Sequence, residues 1–201
     1  MAAQKCNYMI YSRKNKIDDE IDFNLKIDGH NIEEVEETKF LGLRLDPRMN
    51  FNIQVEYIRK TCSDRMSILK IVSHKSWHLD IKTKTQIYKS LIRSLIEYSA
   101  ILYNTLNKKL KTILNTVQYN ALRIIHGKDR SFSNKNLLEL AEIEPLEERM
   151  LKLKNNYVNT ALKNKNPIVC EVVESYKKFK YYGRTIKNLK KTTPMCDVTI
   201  V

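Results

Sequence analysis

Thr38-Lys39-Phe40-Leu41-Gly42-Leu43-Arg44-Leu45-Asp46-Pro47 is the stretch where the hydrophobic pattern of the chain changes period. Up to Leu45 the apolar residues alternate. Successive side chains of a strand point to opposite faces, so Leu41, Leu43 and Leu45 are expected on one face of an extended run from Lys39 to Leu45. Beyond Pro47 the spacing becomes helical: Ile58, Cys62, Leu69 and Val72 predict one helix over about 51–73. The chain is therefore read as α+β. A small N-terminal antiparallel β part occupies residues 1–46, a basic and mainly α-helical domain residues 47–165, and a helical or loose basic tail residues 166–201.

Upstream of that stretch, Lys5 to Ser12 reads as a strand buried on both faces, because Cys6, Tyr8, Met9, Ile10 and Tyr11 give it no polar side. Phe23, Leu25 and Ile27 alternate with polar residues, and Asp28-Gly29 follows. Both residues of that pair tolerate positive φ, which a two-residue hairpin turn requires, and the return strand includes Ile32. Residues 14–22 and 33–37 read as charged loops. Downstream, Asp80 is an expected N-cap. In the helix after it, Tyr88, Leu91, Leu95, Ser99 and Leu102 form one face, while Lys82, Lys89 and Arg93 fall within a narrow arc on the other. Leu110, Leu114, Val117, Ala121 and Ile124 predict a third helix, stopped by Gly127. Leu137, Leu138 and Ala141 suggest a short one. Pro145 suits a first helical position, with Leu146, Met150, Leu153, Tyr157 and Ala161 on the inner face, and a last helix starts at Pro167.

Only 4 Gly and 4 Pro occur among 201 residues, too few tight-turn formers for an all-β sandwich or barrel, and no glycine-rich phosphate loop is present. Hydrophobic residues make up 42% and charged residues 29%, enough apolar surface for a core. The formal net charge of +13 favours a polyanionic partner. It is unevenly spread: residues 1–46 carry a net −3 and the remainder a net +16. Cys6, Cys62, Cys170 and Cys196 are far apart, unlike a disulfide framework. No apolar run is long enough for a membrane span, and the first residues lack the apolar core of a signal peptide. An intracellular protein, in cytoplasm or nucleus, with reduced thiols and no membrane partner is expected.

Catalytic signals are weak. Asp18-Asp19-Glu20 has the carboxylate density that holds magnesium, but it follows a charged stretch and reads as a solvated loop. Cys62, His74 and His78 have the spacing of half a zinc finger, and a continued helix would put both histidines on one face. Three ligands do not close a structural site. The basic residues are more informative. Lys82, Lys89 and Arg93 form a stripe, and Arg59, Lys60, Arg65 and Lys70 add charge to the preceding helix. Tyr176 to Tyr182 interleaves aromatic and basic residues, a mixture suited to phosphates and bases.

The order of several blocks resembles the C-terminal end of a reverse transcriptase from a jockey-like non-LTR (LINE-type) retrotransposon. Lys5-Cys6 before Tyr8-Met9-Ile10-Tyr11-Ser12 is similar to the lysine-bearing step and strand that close the polymerase palm. Ile27-Asp28-Gly29, Ile32, Val35, Lys39-Phe40-Leu41-Gly42 and Leu45-Asp46 resemble the run into the primer-grip hairpin. Tyr88 to Ser94 with Glu97-Tyr98, then Gln118 with Asn120 to Ile125 and Gly127, resemble successive thumb helices, and Pro145-Leu146 with Arg149 the last block. The likeness covers roughly residues 5–160.

The resemblance implies a palm remnant and primer grip over residues 1–46, a thumb-like domain over 47–165, and template–primer RNA/DNA as partner. Phosphate or primer contacts then fall to Lys39, Phe40, Leu41, Gly42, Arg59, Lys60, Lys82, Lys89 and Arg93. The family's aspartate box, which binds two catalytic magnesium ions, would precede residue 1, and Asp18-Asp19 lies on the wrong side of the Lys5 strand to be that box. Ala2 and Cys6 stand where the family has asparagine and threonine, so a truncation edge is expected at Met1-Ala2-Ala3. No cofactor and no catalytic residue are assigned, magnesium belonging only to an intact family member. Polymerisation by this chain alone is not expected, and the upstream palm and fingers become structural partners. A helical protein-interaction module with incidental charge is the alternative; it predicts an exposed apolar patch.

Overall fold

The computed structural model describes residues 6–11 and 25–181, with side chains to residue 175. Lys5, the acidic triplet at residues 18–20, Phe23 and Cys196 lie outside these residues, as do the side chains of the aromatic–basic run at 176–182. The chain divides into two units, residues 1–57 and 58–201.

Among its described residues the first unit carries six short strands: β1 (Asn7–Tyr8), β2 (Lys26–Ile27), β3 (His30–Asn31), β4 (Glu33–Glu34), β5 (Thr38–Phe40) and β6 (Leu43–Leu45). Two pairs are antiparallel hairpins. In β2–β3, Ile27 faces His30 across Asp28 (φ 50°) and Gly29 (φ 79°), the paired positive φ values that an Asp-Gly turn supplies. The Ile32 N–H continues that ladder to the Leu25 carbonyl at 2.9 Å. In β5–β6, Phe40 faces Leu43 across Leu41 (φ 47°) and Gly42 (φ 82°). The expected continuous strand is therefore folded in half, and Leu41 is lifted to an exposed turn rather than aligned with Leu43 and Leu45. The left-handed conformation open to glycine at the second turn position decides this over the alternating pattern.

The β part is not wholly antiparallel. β1 pairs in parallel with β4, Asn7 beside Glu33 and Tyr8 beside Glu34, so part of the expected charged loop is strand. Asn7 is exposed and Tyr8 half-buried, so the predicted two-sided burial does not occur.

At the change of period, Asp46 forms a turn. Its carboxylate accepts from the Asn50 N–H at 3.1 Å and the Phe51 N–H at 3.0 Å. Helix α1 (Asn52–Val72) follows, beginning in the first unit and continuing into the second. Near its start the Gln54 carboxamide accepts from the Arg44 N–H at 2.9 Å, and the Arg44 guanidinium lies 4.6 Å from the Tyr57 ring centroid.

The second unit is helical. After α1 come a 3-10 turn (Lys75–Trp77), α2 (Ile81–Tyr88), a π-helical segment (Lys89–Arg93), α3 (Ser94–Tyr98) and a 3-10 segment (Ala100–Thr105). Then follow α4 (Lys108–His126), α5 (Asn134–Ala141), α6 (Leu146–Lys163) and α7 (Pro167–Tyr181). Asp80 caps α2, its carboxylate accepting from the Thr83 N–H at 3.1 Å. Asn107 and Ser133 cap α4 and α5 in the same manner. Pro145 stands just before α6, one position earlier than expected. The core includes Ile58, Cys62, Leu69, Ile92, Leu114, Leu122, Leu137, Leu146 and Met150. On α6 the inner face differs from the sequence reading by a small rotation: Lys154 and Val158 are buried, while Tyr157 is exposed. Among the described residues Cys62 and Cys170 are free thiols, and no helix is long and apolar enough to cross a membrane.

Two ends of α4 give a stability test. Asn107→Ala removes the acceptor for the Leu110 N–H (2.9 Å) and should cost about 1 kcal/mol. Gly127 has φ 60° with open space where a Cβ would stand, so Gly127→Ala should cost about 1 kcal/mol from backbone conformation alone, and Gly127→Asn less. Urea unfolding curves measure both; equal effects of Ala and Asn at Gly127 would remove the left-handed backbone as the cause.

Candidate functional site

The basic stripe expected along residues 82–93 is interrupted by the π-helical segment. There the Ser94 N–H reaches the Lys89 carbonyl, an i→i+5 bond, so one extra residue fits in the turn. Tyr88, Ile92 and Ile96 become the buried row instead of Leu91 and Leu95, and Arg93 turns inward with them. The Arg93 side chain is 7% exposed.

Arg93 is held by two carboxylates. Its Nε donates to Glu97 Oε1 at 2.7 Å and its Nη2 to Glu144 Oε1 at 3.2 Å. Arg149 on α6 makes two bonds to Glu97, from Nε at 2.8 Å and from Nη2 at 3.1 Å, and lies 3.6 Å from Glu144. Lys152 completes the group by bonding Glu144. Beside it runs a buried neutral chain: the Tyr88 hydroxyl donates to Gln118 Oε1 at 3.2 Å, and Gln118 Nε2 donates to the Glu144 carbonyl at 3.3 Å. Lys89 and Glu142 help line the cleft around the ionic group, whose volume is about 360 Å³.

The charge states follow from these bonds. Burial opposes ionisation of Glu97, but the hydrogen bonds and charges of Arg149 and Arg93 outweigh it and hold the carboxyl below its ordinary 4.5. Glu144 is lowered chiefly by its bond from Lys152, despite some desolvation. Arg149 is raised by its bonds to Glu97, against some desolvation. Burial raises Tyr88, and it pushes the Cys62 thiol up to about 11 although Arg65 acts in the other direction. Cys62 is thus an inert core residue.

The other predicted contact residues divide between the units. Lys39, Phe40, Leu41 and Gly42 form the exposed end of the β5–β6 hairpin in the first unit. Arg59 and Lys60 are exposed on α1. Lys82 is exposed in the first turn of α2, near the Asp80 cap, and lies outside the cleft that Lys89 and Arg93 share. Arg65, counted with the basic residues of α1, donates to the Leu91 carbonyl at 2.5 Å and joins α1 to the π segment.

The zinc reading does not hold. α1 stops at Val72, so no continued helix aligns His74 with His78; His74 instead caps the 3-10 turn, its Nδ1 accepting from the Ser76 N–H at 3.3 Å. Among the described residues no group of three His, Cys, Asp or Glu could hold a metal ion. Tyr88, Gln118, Glu97, Glu144 and Arg149 were not in the sequence-derived site; the i,i+4 spacing of Arg93 and Glu97 was the available signal for their pairing. Comparison with models of protein families, with curated proteins and with solved structures found no match.

The folded protein holds Glu97 and Glu144 at lower pKa values than the unfolded chain. Their stabilisation is complete above the ordinary 4.5 and is lost as pH falls through the depressed folded values. Glu97→Gln should cost about 2 kcal/mol at pH 7, the scale of hydrogen bonds between charged groups. That cost should shrink at pH 3. Urea midpoints at the two pH values measure this; a cost independent of pH would assign Glu97 a role in shape rather than charge.

Proposed function

We propose that this chain binds template–primer nucleic acid through phosphates, as the primer-grip and thumb portion of a retrotransposon reverse transcriptase. The observation that carries the reading is how charge is partitioned in the helical unit. Glu97, Glu144 and Glu147 are engaged by Arg93, Arg149, Lys152 and Lys111, while Lys60, Lys82 and Lys89 are exposed. Long cations at the surface suit the phosphate oxygens of a duplex, which fix register without reading sequence. The Lys39–Gly42 hairpin, exposed and turned by Gly42, is assigned the primer. Arg93 leaves the set of contacts and becomes a positioning residue that fixes the π segment carrying Lys89. The reading assigns the chain binding and not catalysis, and it implies an intracellular location, with palm and fingers as structural partners.

A second reading is favoured by one feature. Ile101, Leu153, Tyr157, Ile168 and Val172 help line an apolar groove of about 490 Å³, the kind of surface a helical protein-interaction module presents.

Anisotropy of a labelled RNA–DNA duplex, titrated at several salt concentrations, separates the two. Phosphate binding gives a linear fall of log affinity with log salt, about −0.9 for each phosphate neutralised on a B-form duplex. Lys82→Ala with Lys89→Ala should make that slope shallower by up to about 2. A flat dependence, or a slope unchanged by the double replacement, sinks the assignment of these lysines.

A further inference from the structure

Between α1 and α2 the chain turns a corner that is held more firmly than its exposure requires. The His74 N–H bonds the Ile71 carbonyl at 3.0 Å, and His74 Nδ1 lies 2.8 Å from the Ser76 hydroxyl. The Trp77 N–H returns to the His74 carbonyl at 3.1 Å, and the His78 N–H to the Lys75 carbonyl at 3.2 Å. His78 takes the left-handed conformation, φ 47°, unusual for a residue with a side chain. Lys84 Nζ reaches the Ser73 carbonyl at 3.5 Å, tying the start of α2 to the end of α1, and Asp80 caps α2.

This framework presents a tryptophan to solvent. Trp77 is 56% exposed. Ile71 and Ile81, on either side of the corner, are also exposed. The sequence around it is mainly basic: Lys70, Lys75, Lys82 and Lys84 lie within residues 70–84, with Asp80 the one acidic residue there. An exposed aromatic side chain in a lysine-rich stretch suits a flat, apolar group attached to a polyanion. A duplex offers phosphates but keeps its base faces stacked on one another; an unpaired nucleotide offers both.

We infer that Trp77 is a stacking platform for an unpaired nucleobase of a bound nucleic acid, with Lys75 and Lys82 on the flanking phosphates. The inference rests on the nucleic-acid reading above and adds to it a site for single-stranded template beside the duplex.

Trp77 is the only tryptophan of the chain, so intrinsic emission reports on this site alone. The full chain is titrated with a labelled blunt RNA–DNA duplex and with the same duplex carrying a short single-stranded overhang. Anisotropy follows binding, and tryptophan emission follows the corner. The overhang should bind about tenfold more tightly and quench Trp77, while the blunt duplex binds without quenching. Trp77→Ala should abolish the preference for the overhang and leave blunt-duplex binding and helical circular dichroism intact. Trp77→Phe should retain part of the preference. Equal binding of the two probes with unchanged emission overturns the stacking site and leaves the duplex reading standing. Quenching by the blunt duplex overturns it too, by placing Trp77 against paired bases. Binding of neither probe overturns the duplex reading, and the stacking site with it.

Discussion

A guanidinium inside a helical unit must be matched, and the arrangement around α3 follows from how Arg93 is matched. Removing an ion from water costs several kcal/mol even after relaxation, and attraction repays this only when geometry is good and every donor has an acceptor. The π segment turns Arg93 inward beside Ile92. Glu97, one turn on, cannot meet the whole requirement. Glu144 supplies the second carboxylate from the approach to α6, and Arg149 balances the two acids from α6 itself. Residues more than fifty positions apart are thus joined by a constraint that begins with one extra residue in a helical turn.

That constraint sorts the charge of the helical unit into two populations. Arg93 and Arg149 face carboxylates and contribute little field outside the protein. Lys60, Lys82 and Lys89 face water, where a positive potential can act on a polyanion. Net charge alone cannot separate these roles, since a buried arginine and an exposed lysine count equally. The same division explains why Lys89 and Arg93, four residues apart, do different work: Lys89 lies at the open start of the π segment and Arg93 at its buried end.

Much of the architecture was legible in residue types that act locally. Asp28-Gly29 turns β2 into β3, Asp80 caps α2, Gly127 ends α4 and Pro167 begins α7 through backbone geometry that a few residues decide. Where a residue's place depends on distant partners, the sequence reading was displaced. Leu41 followed the turn at Gly42 instead of the alternating pattern, and β1 found a parallel partner that only long-range folding selects. Within the candidate site, helical spacing put Lys82 and Lys89 on an outer face, and both are exposed. Arg93 could not be placed this way, because nothing in a 3.6-residue period marks where a π turn will enter. Trp77 lies in a 3-10 turn capped by His74, which leaves it exposed.

Some residues of the sequence blocks in the helical unit have a common location. Tyr88, Arg93, Glu97, Gln118 and Arg149 come from three separate sequence blocks and meet in one partly buried polar network with Glu144. Such a network accepts few replacements, because each member satisfies another's hydrogen bonds. A pattern of this kind speaks first to how a helical unit is held together. It carries no information about phosphates, since these side chains bond one another, whereas Lys60 and Lys82 are exposed. The nucleic-acid reading therefore draws its physical weight from the exposed lysines and from the Trp77 corner, which lie outside the network.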